Sequence, residues 1–77
     1  MYTAKIRFET LDEAKAFVDI CNKVDFKVEL QDDVYVIDAK SIMGIFSLGL
    51  PAVIDMHAHC EDSAAFREKI RSYLVEE

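Results

Sequence analysis

The run Ala39-Lys40-Ser41-Ile42-Met43-Gly44-Ile45-Phe46-Ser47-Leu48-Gly49-Leu50 decides how the rest of the chain is read. Ser41 is a preferred helix N-cap, because its hydroxyl can take a free backbone N–H of the first turn. Gly49 stops the segment, and Pro51 follows two residues later. Between them lies a short helix that is apolar on more than one face. Ile45 and Leu48 fit an inward face, which leaves Ile42, Met43 and Phe46 pointing outward or sideways. So short a helix cannot hide all five against one core. Part of its surface is therefore expected to meet a partner, either another protein or a second copy of this chain in a homodimer.

Upstream of that helix the pattern is a hairpin. Phe26, Val28 and Leu30 alternate with Lys27, Glu29 and Gln31, and Gln31-Asp32-Asp33 reads as a tight turn into a strand over 34–38. Neither turn residue is the glycine a type I′ turn favours. Before the hairpin, Thr10-Leu11-Asp12-Glu13 has the form of a capping box. The helix it opens carries Leu11, Ala14, Val18 and Cys21 on one face, with Phe17 beside them, and ends near Asn22 and Lys23. The chain begins with alternation, Ala4, Ile6 and Phe8 one way and Thr3, Lys5 and Arg7 the other, as a half-buried strand requires. Downstream of Pro51 a fourth strand over 53–59 has Ile54, Met56, Ala58 and Cys60 as its inward set. Asp55, His57 and His59 fall on its other face. Glu61-Asp62-Ser63 then caps a last helix with the stripe Ala65, Phe66, Ile70, Tyr73 and Leu74. The order is βαββαβα, an α+β two-layer sandwich: an antiparallel sheet with helices on one face and solvent on the other.

With 77 residues the chain is expected to form one domain, residues 1–77. A net charge of −6 and the lack of a basic stripe with interleaved aromatics argue against nucleic acid and against an anionic membrane surface. No apolar run is long enough to span a bilayer and no signal-peptide pattern opens the chain, so a cytoplasmic location is expected. The two cysteines, Cys21 and Cys60, sit on apolar faces and read as reduced core thiols, without a base to activate them. His57 and His59 are two apart on one strand face and about 6.5–7 Å from each other, a spacing able to pincer a metal ion. No third ligand is evident, so a solvated row on the open face is the plainer reading, and no metal and no cofactor are expected.

The element order and the segment Lys40-Ser41-Ile42-Met43-Gly44, followed by Ser47-Leu48-Gly49, resemble HPr, the phosphocarrier family of the bacterial sugar phosphotransferase system. That resemblance implies an open-faced sandwich with strand order 1-4-2-3. It also implies that Ser41 is the counterpart of the serine phosphorylated by a dedicated kinase in many Gram-positive bacteria. Lys40, Ile42, Met43 and Phe46 would then belong to the surface that docks onto partners: an HPr kinase-like enzyme, an enzyme of the transport system or a transcription regulator. The family's other signature, Gly-x-His-x-Arg-Pro before the first helix, is missing. Counting back from Phe17-Val18, its histidine falls near Thr10 and its arginine near Asp12, and no histidine precedes His57. Two carboxylates, Asp12 and Glu13, stand where a phosphoryl group would arrive. Each would repel it by roughly 1–4 kcal/mol at close range.

The chain therefore more resembles the catabolite-repression HPr-like proteins, which lack the histidine and keep the serine. The expected function is a regulatory or protein-interaction module, not an enzyme, with Ser41 as its phosphorylation candidate. Two alternatives are a divergent phosphocarrier component of the phosphoenolpyruvate-dependent system and a small structural or metal-binding protein using His57 and His59.

Overall fold

The computed structural model describes residues 1–61 and 64–75. Along the chain run β1 (Tyr2–Phe8), α1 (Leu11–Asn22), β2 (Val28–Asp32), β3 (Tyr35–Asp38), α2 (Ile42–Phe46), β4 (Ala52–Ala58) and α3 (Ala64–Lys69), then a 3-10 turn (Arg71–Tyr73). The four strands form one antiparallel sheet in the order β1-β4-β2-β3, as the resemblance implies. In its register Ile6 faces Ile54, Leu30 faces Met56 and Leu30 also faces Ile37.

Alternation explains which face is covered. Ile6 and Phe8 of β1, Val28 and Leu30 of β2, and Ile54, Met56 and Ala58 of β4 are buried beneath the helices. Ala14, Phe17, Val18 and Cys21 of α1, Ile45 of α2 and Phe66 of α3 close over them. Thr3, Lys5, Arg7 and Asp55 lie on the other, solvated face. Edge-to-face aromatic pairs pin the layers together. Phe8, Phe17 and Tyr73 meet at ring-centroid distances of 5.2–5.8 Å, and Phe26 packs on Phe66 at 5.1 Å.

The structure corrects several details of the sequence reading. β2 begins at Val28, not Phe26, and pairs through Asp32, so the turn is Asp33-Val34. Asp33 takes φ 57°, a left-handed conformation that an aspartate tolerates better than most residues. Leu11 is 43 % exposed, outside the buried face of α1. Ala65 is exposed too, and Tyr73 and Leu74 have left the helical stripe for the turn beyond α3. Asp62 and Ser63 of the expected α3 cap lie outside the described residues.

Candidate functional site

α2 is built from its cap inward. Ser41 adopts an extended backbone (φ −101°, ψ 111°), and its Oγ accepts the Gly44 N–H at 3.3 Å. Ser41 C=O accepts the Ile45 N–H at 3.2 Å, which starts the helical ladder. At the other end the Ser47 hydroxyl donates to Gly44 C=O at 2.6 Å, and the Leu48 N–H closes on Ile45 C=O at 3.0 Å. This geometry turns Ile45 and Leu48 into the core and leaves Met43 74 % and Phe46 45 % exposed. Ile42 is half-buried, packed against the rim of the core. Ser41 therefore stands half-exposed beside an apolar patch.

Lys40 has a structural task. Its Nζ donates to Val24 C=O at 2.9 Å, its N–H goes to Asp38 Oδ1 at 2.9 Å, and its C=O accepts from Asn22 Nδ2 at 3.1 Å. The ammonium thus lies just past the end of α1, where a cation complements the helix dipole. The sequence placed Lys40 beside Ser41 but gave no sign of this long-range bond.

The start of α1 is a different environment. Thr10 caps the helix, its Oγ1 accepting the Glu13 N–H at 3.2 Å. Glu13 reaches back and accepts the Glu9 N–H at 3.0 Å, one residue before the reciprocal partner of a standard capping box. Arg7 is spent on Glu9, with Nε 2.9 Å from its carboxylate. Three carboxylates, from Glu9, Asp12 and Glu13, thus crowd a helix terminus where the connection from β1 is only Glu9-Thr10.

On the open face, His59 Nε2 lies against Glu29 Oε1, and Glu29 is also the cross-strand neighbour of His57. The Nε2 of His57 is buried without a hydrogen-bond partner among the described residues. Met1, Gln31 and Val36 complete a shallow recess of about 180 Å³ around these groups. Asp55 does not join them; it faces Lys5 at 3.7 Å. Among the described residues, no group of three His, Cys, Asp or Glu side chains converges to hold a metal ion. Glu29 was missed in the sequence as the partner of His59, since only the β2–β4 register brings them together.

Cys21 is fully buried, and burial pushes its thiol up from 9.0 to about 12, against the partial opposition of the Lys40 charge. Such a thiol has no useful thiolate fraction near neutrality.

Comparison with known proteins bears on this arrangement. The family model described as the PTS HPr component phosphorylation site matches residues 11–75. Among solved structures, HPr-C-His from Thermoanaerobacter tengcongensis is similar with a TM-score of 0.76 and 25 % identity, over 94 % of this chain and 89 % of that one. The phosphocarrier protein HPr from Bacillus anthracis str. Ames superposes with a TM-score of 0.72 over 96 % of each chain; at 22 % identity that likeness concerns the fold. Comparison with curated protein sequences gives no match. The family match begins at Leu11, leaving Glu9 and Thr10 outside it. Spanned over most of its length by the family model, and with the same sheet order and helix arrangement, the chain belongs to the PTS HPr family.

Proposed function

We propose that this HPr-family protein is a regulatory interaction module that docks through α2, is phosphorylated on Ser41 and does not relay phosphoryl groups through histidine. The observation that carries the reading is a contrast between two helix starts. At α2 a half-exposed serine adjoins exposed Met43 and Phe46. At α1 a threonine cap is ringed by Glu9, Asp12 and Glu13, without an imidazole. A phosphoryl group arriving at α1 would meet three carboxylates at close range; the carboxylate near Ser41 is that of Asp38, already bonded to the Lys40 N–H.

Phosphorylation would transfer the γ-phosphoryl group of ATP to Ser41 Oγ, releasing the hydroxyl proton and ADP. The new dianionic group would lie at the rim of an apolar docking patch and change which partners that patch accepts. Incubation with an HPr kinase and ATP, followed by mass spectrometry, tests this. Ser41 is expected to gain one phosphate; an unmodified Ser41 beside fully labelled HPr would refute it. Docking is tested separately by Met43→Asp. This change should abolish retention of a partner while leaving the melting temperature nearly unchanged, because Met43 is mostly solvent-exposed.

Family membership also favours a second reading, a divergent component of the phosphotransferase pathway kept there by partner recognition. It predicts a phosphoenolpyruvate-derived label on this chain in the presence of the pathway's first enzyme.

A further inference from the structure

The two edges of the sheet are finished differently. Along β1, Leu74 bridges to Ile6 and the Val75 N–H donates to Lys5 C=O at 3.0 Å, so the returning chain covers that edge. β3, the opposite edge, has no such cover among the described residues. The Ala39 N–H donates to Val28 C=O at 2.9 Å, which sets the parity of the β2–β3 ladder. Tyr35, Ile37 and Ala39 direct their backbone groups toward β2. The N–H and C=O of Val36 and the N–H of Asp38 point away from the sheet, while Asp38 C=O is taken by the Ser41 N–H at 3.0 Å. The side chains are just as open, with Val34 79 %, Tyr35 70 % and Val36 59 % exposed. Between this edge and the end of α2 lies a groove of about 400 Å³, lined by Asp32, Tyr35, Val36, Ile37, Ser47 and Leu48.

Charge decides what fits there. From Val28 to Ala39 the chain has no Lys, Arg or His, while Asp32 and Asp33 stand at one end of β3 and Asp38 at the other; Lys40, the next residue, directs its ammonium to Val24 C=O. A second copy pairing its own β3 antiparallel would bring Asp38 of each chain beside the Asp32-Asp33 turn of the other. Like charges so opposed are destabilising. A strand with basic ends meets the reverse situation.

We infer that β3 is a docking edge for an extended segment of another protein, apolar at alternate positions and basic at its ends, added to the sheet as a fifth strand. Backbone bonds at Val36 and Asp38 hold the segment, the groove beside α2 takes its inward side chains, and the aspartates select its ends. The site is separate from the Met43–Phe46 patch, so either proposal can fail alone.

The test titrates the isotopically labelled full chain with two synthetic peptides, alternating valine and threonine between paired lysines or between paired glutamates. The lysine-ended peptide is expected to shift the amides of residues 34–38 and to slow hydrogen exchange at Val36 and Asp38. Val36→Pro removes only an outward-facing N–H, as proline tolerates at an edge, and should weaken binding at least about tenfold. Asp32→Asn with Asp33→Asn keeps the turn, since asparagine accepts positive φ, and should weaken the lysine peptide several-fold at low salt. Met43→Asp should leave binding intact. The inference is overturned by equal binding of the two peptides, by no response at β3, or by shifts confined to α2. Concentration-dependent dimerisation abolished by Val36→Pro would overturn it as well, since the edge would then belong to a second copy.

Discussion

Gly44 shows how one residue fixes the placement of α2. A Cβ there would stand 2.7 Å from Ile37 Cγ2, a methyl on a β-branched side chain with little freedom to yield. Alanine usually favours a helix by about 1 kcal/mol over glycine, but overpacking costs about 1–3 kcal/mol. Gly44→Ala should therefore lower the urea midpoint, and adding Ile37→Ala should remove most of the extra cost in a double-mutant cycle. Cys21 yields a pH prediction. Its thiol, raised by burial to about 12, stays protonated in the folded chain while the unfolded thiol ionises near its ordinary 9.0. The unfolded state then holds fewer protons, so stability falls as pH rises above about 9, by up to about 1.4 kcal/mol per pH unit. Burial and the Glu13 charge raise the Tyr73 phenol too, which adds in the same direction above pH 10.0. Urea midpoints from pH 8 to 11 should fall more steeply for the wild type than for Cys21→Ala. At this scale the sequence already marked Ile45 and Leu48 as inward and Met43 and Phe46 as outward, because helical spacing and a cap suffice for that. The need for glycine at 44 was not legible; it comes from β3 passing underneath.

Elements were legible where their signals are local. Alternation gave β1 and β4, and the Thr10–Glu13 box gave the start of α1. What depended on distant partners was misread. The turn shifted to Asp33-Val34 once Asp32 paired with Tyr35, and the expected single last helix became α3, a 3-10 turn and a bridge onto β1. Lys40, expected on the docking surface, has a second task that only a distant partner reveals, since it also finishes α1. Its Nζ bond to Val24 C=O is charge-assisted and partly buried, an interaction typically contributing about 1.5–3 kcal/mol. Lys40→Met should destabilise the chain by about 1–2 kcal/mol and speed amide exchange in the last turn of α1. Unchanged stability and exchange would show that the contact contributes nothing.

For the molecule as a whole, β1-β4-β2-β3 with all helices on one face places the starts of α1 and α2 on the same layer, each with its own cap. The family could be read from the sequence because the segment around Ser41 resembles it and lies in a matching order of elements. The absence of a histidine before His57 and the carboxylates at Asp12 and Glu13 are equally plain in the sequence alone. The tying of Arg7 to Glu9 and of Glu13 to the Glu9 N–H could not be read, because both rest on how tightly β1 joins α1. The proposed function has this protein working through Ser41 and α2 and not as a phosphohistidine relay. Incubation with radiolabelled phosphoenolpyruvate and the pathway's first enzyme, with HPr as the positive control, tests it most directly. Labelled HPr beside an unlabelled chain is the expected outcome. Label recovered from residues 9–13, or from His57 or His59, would contradict it.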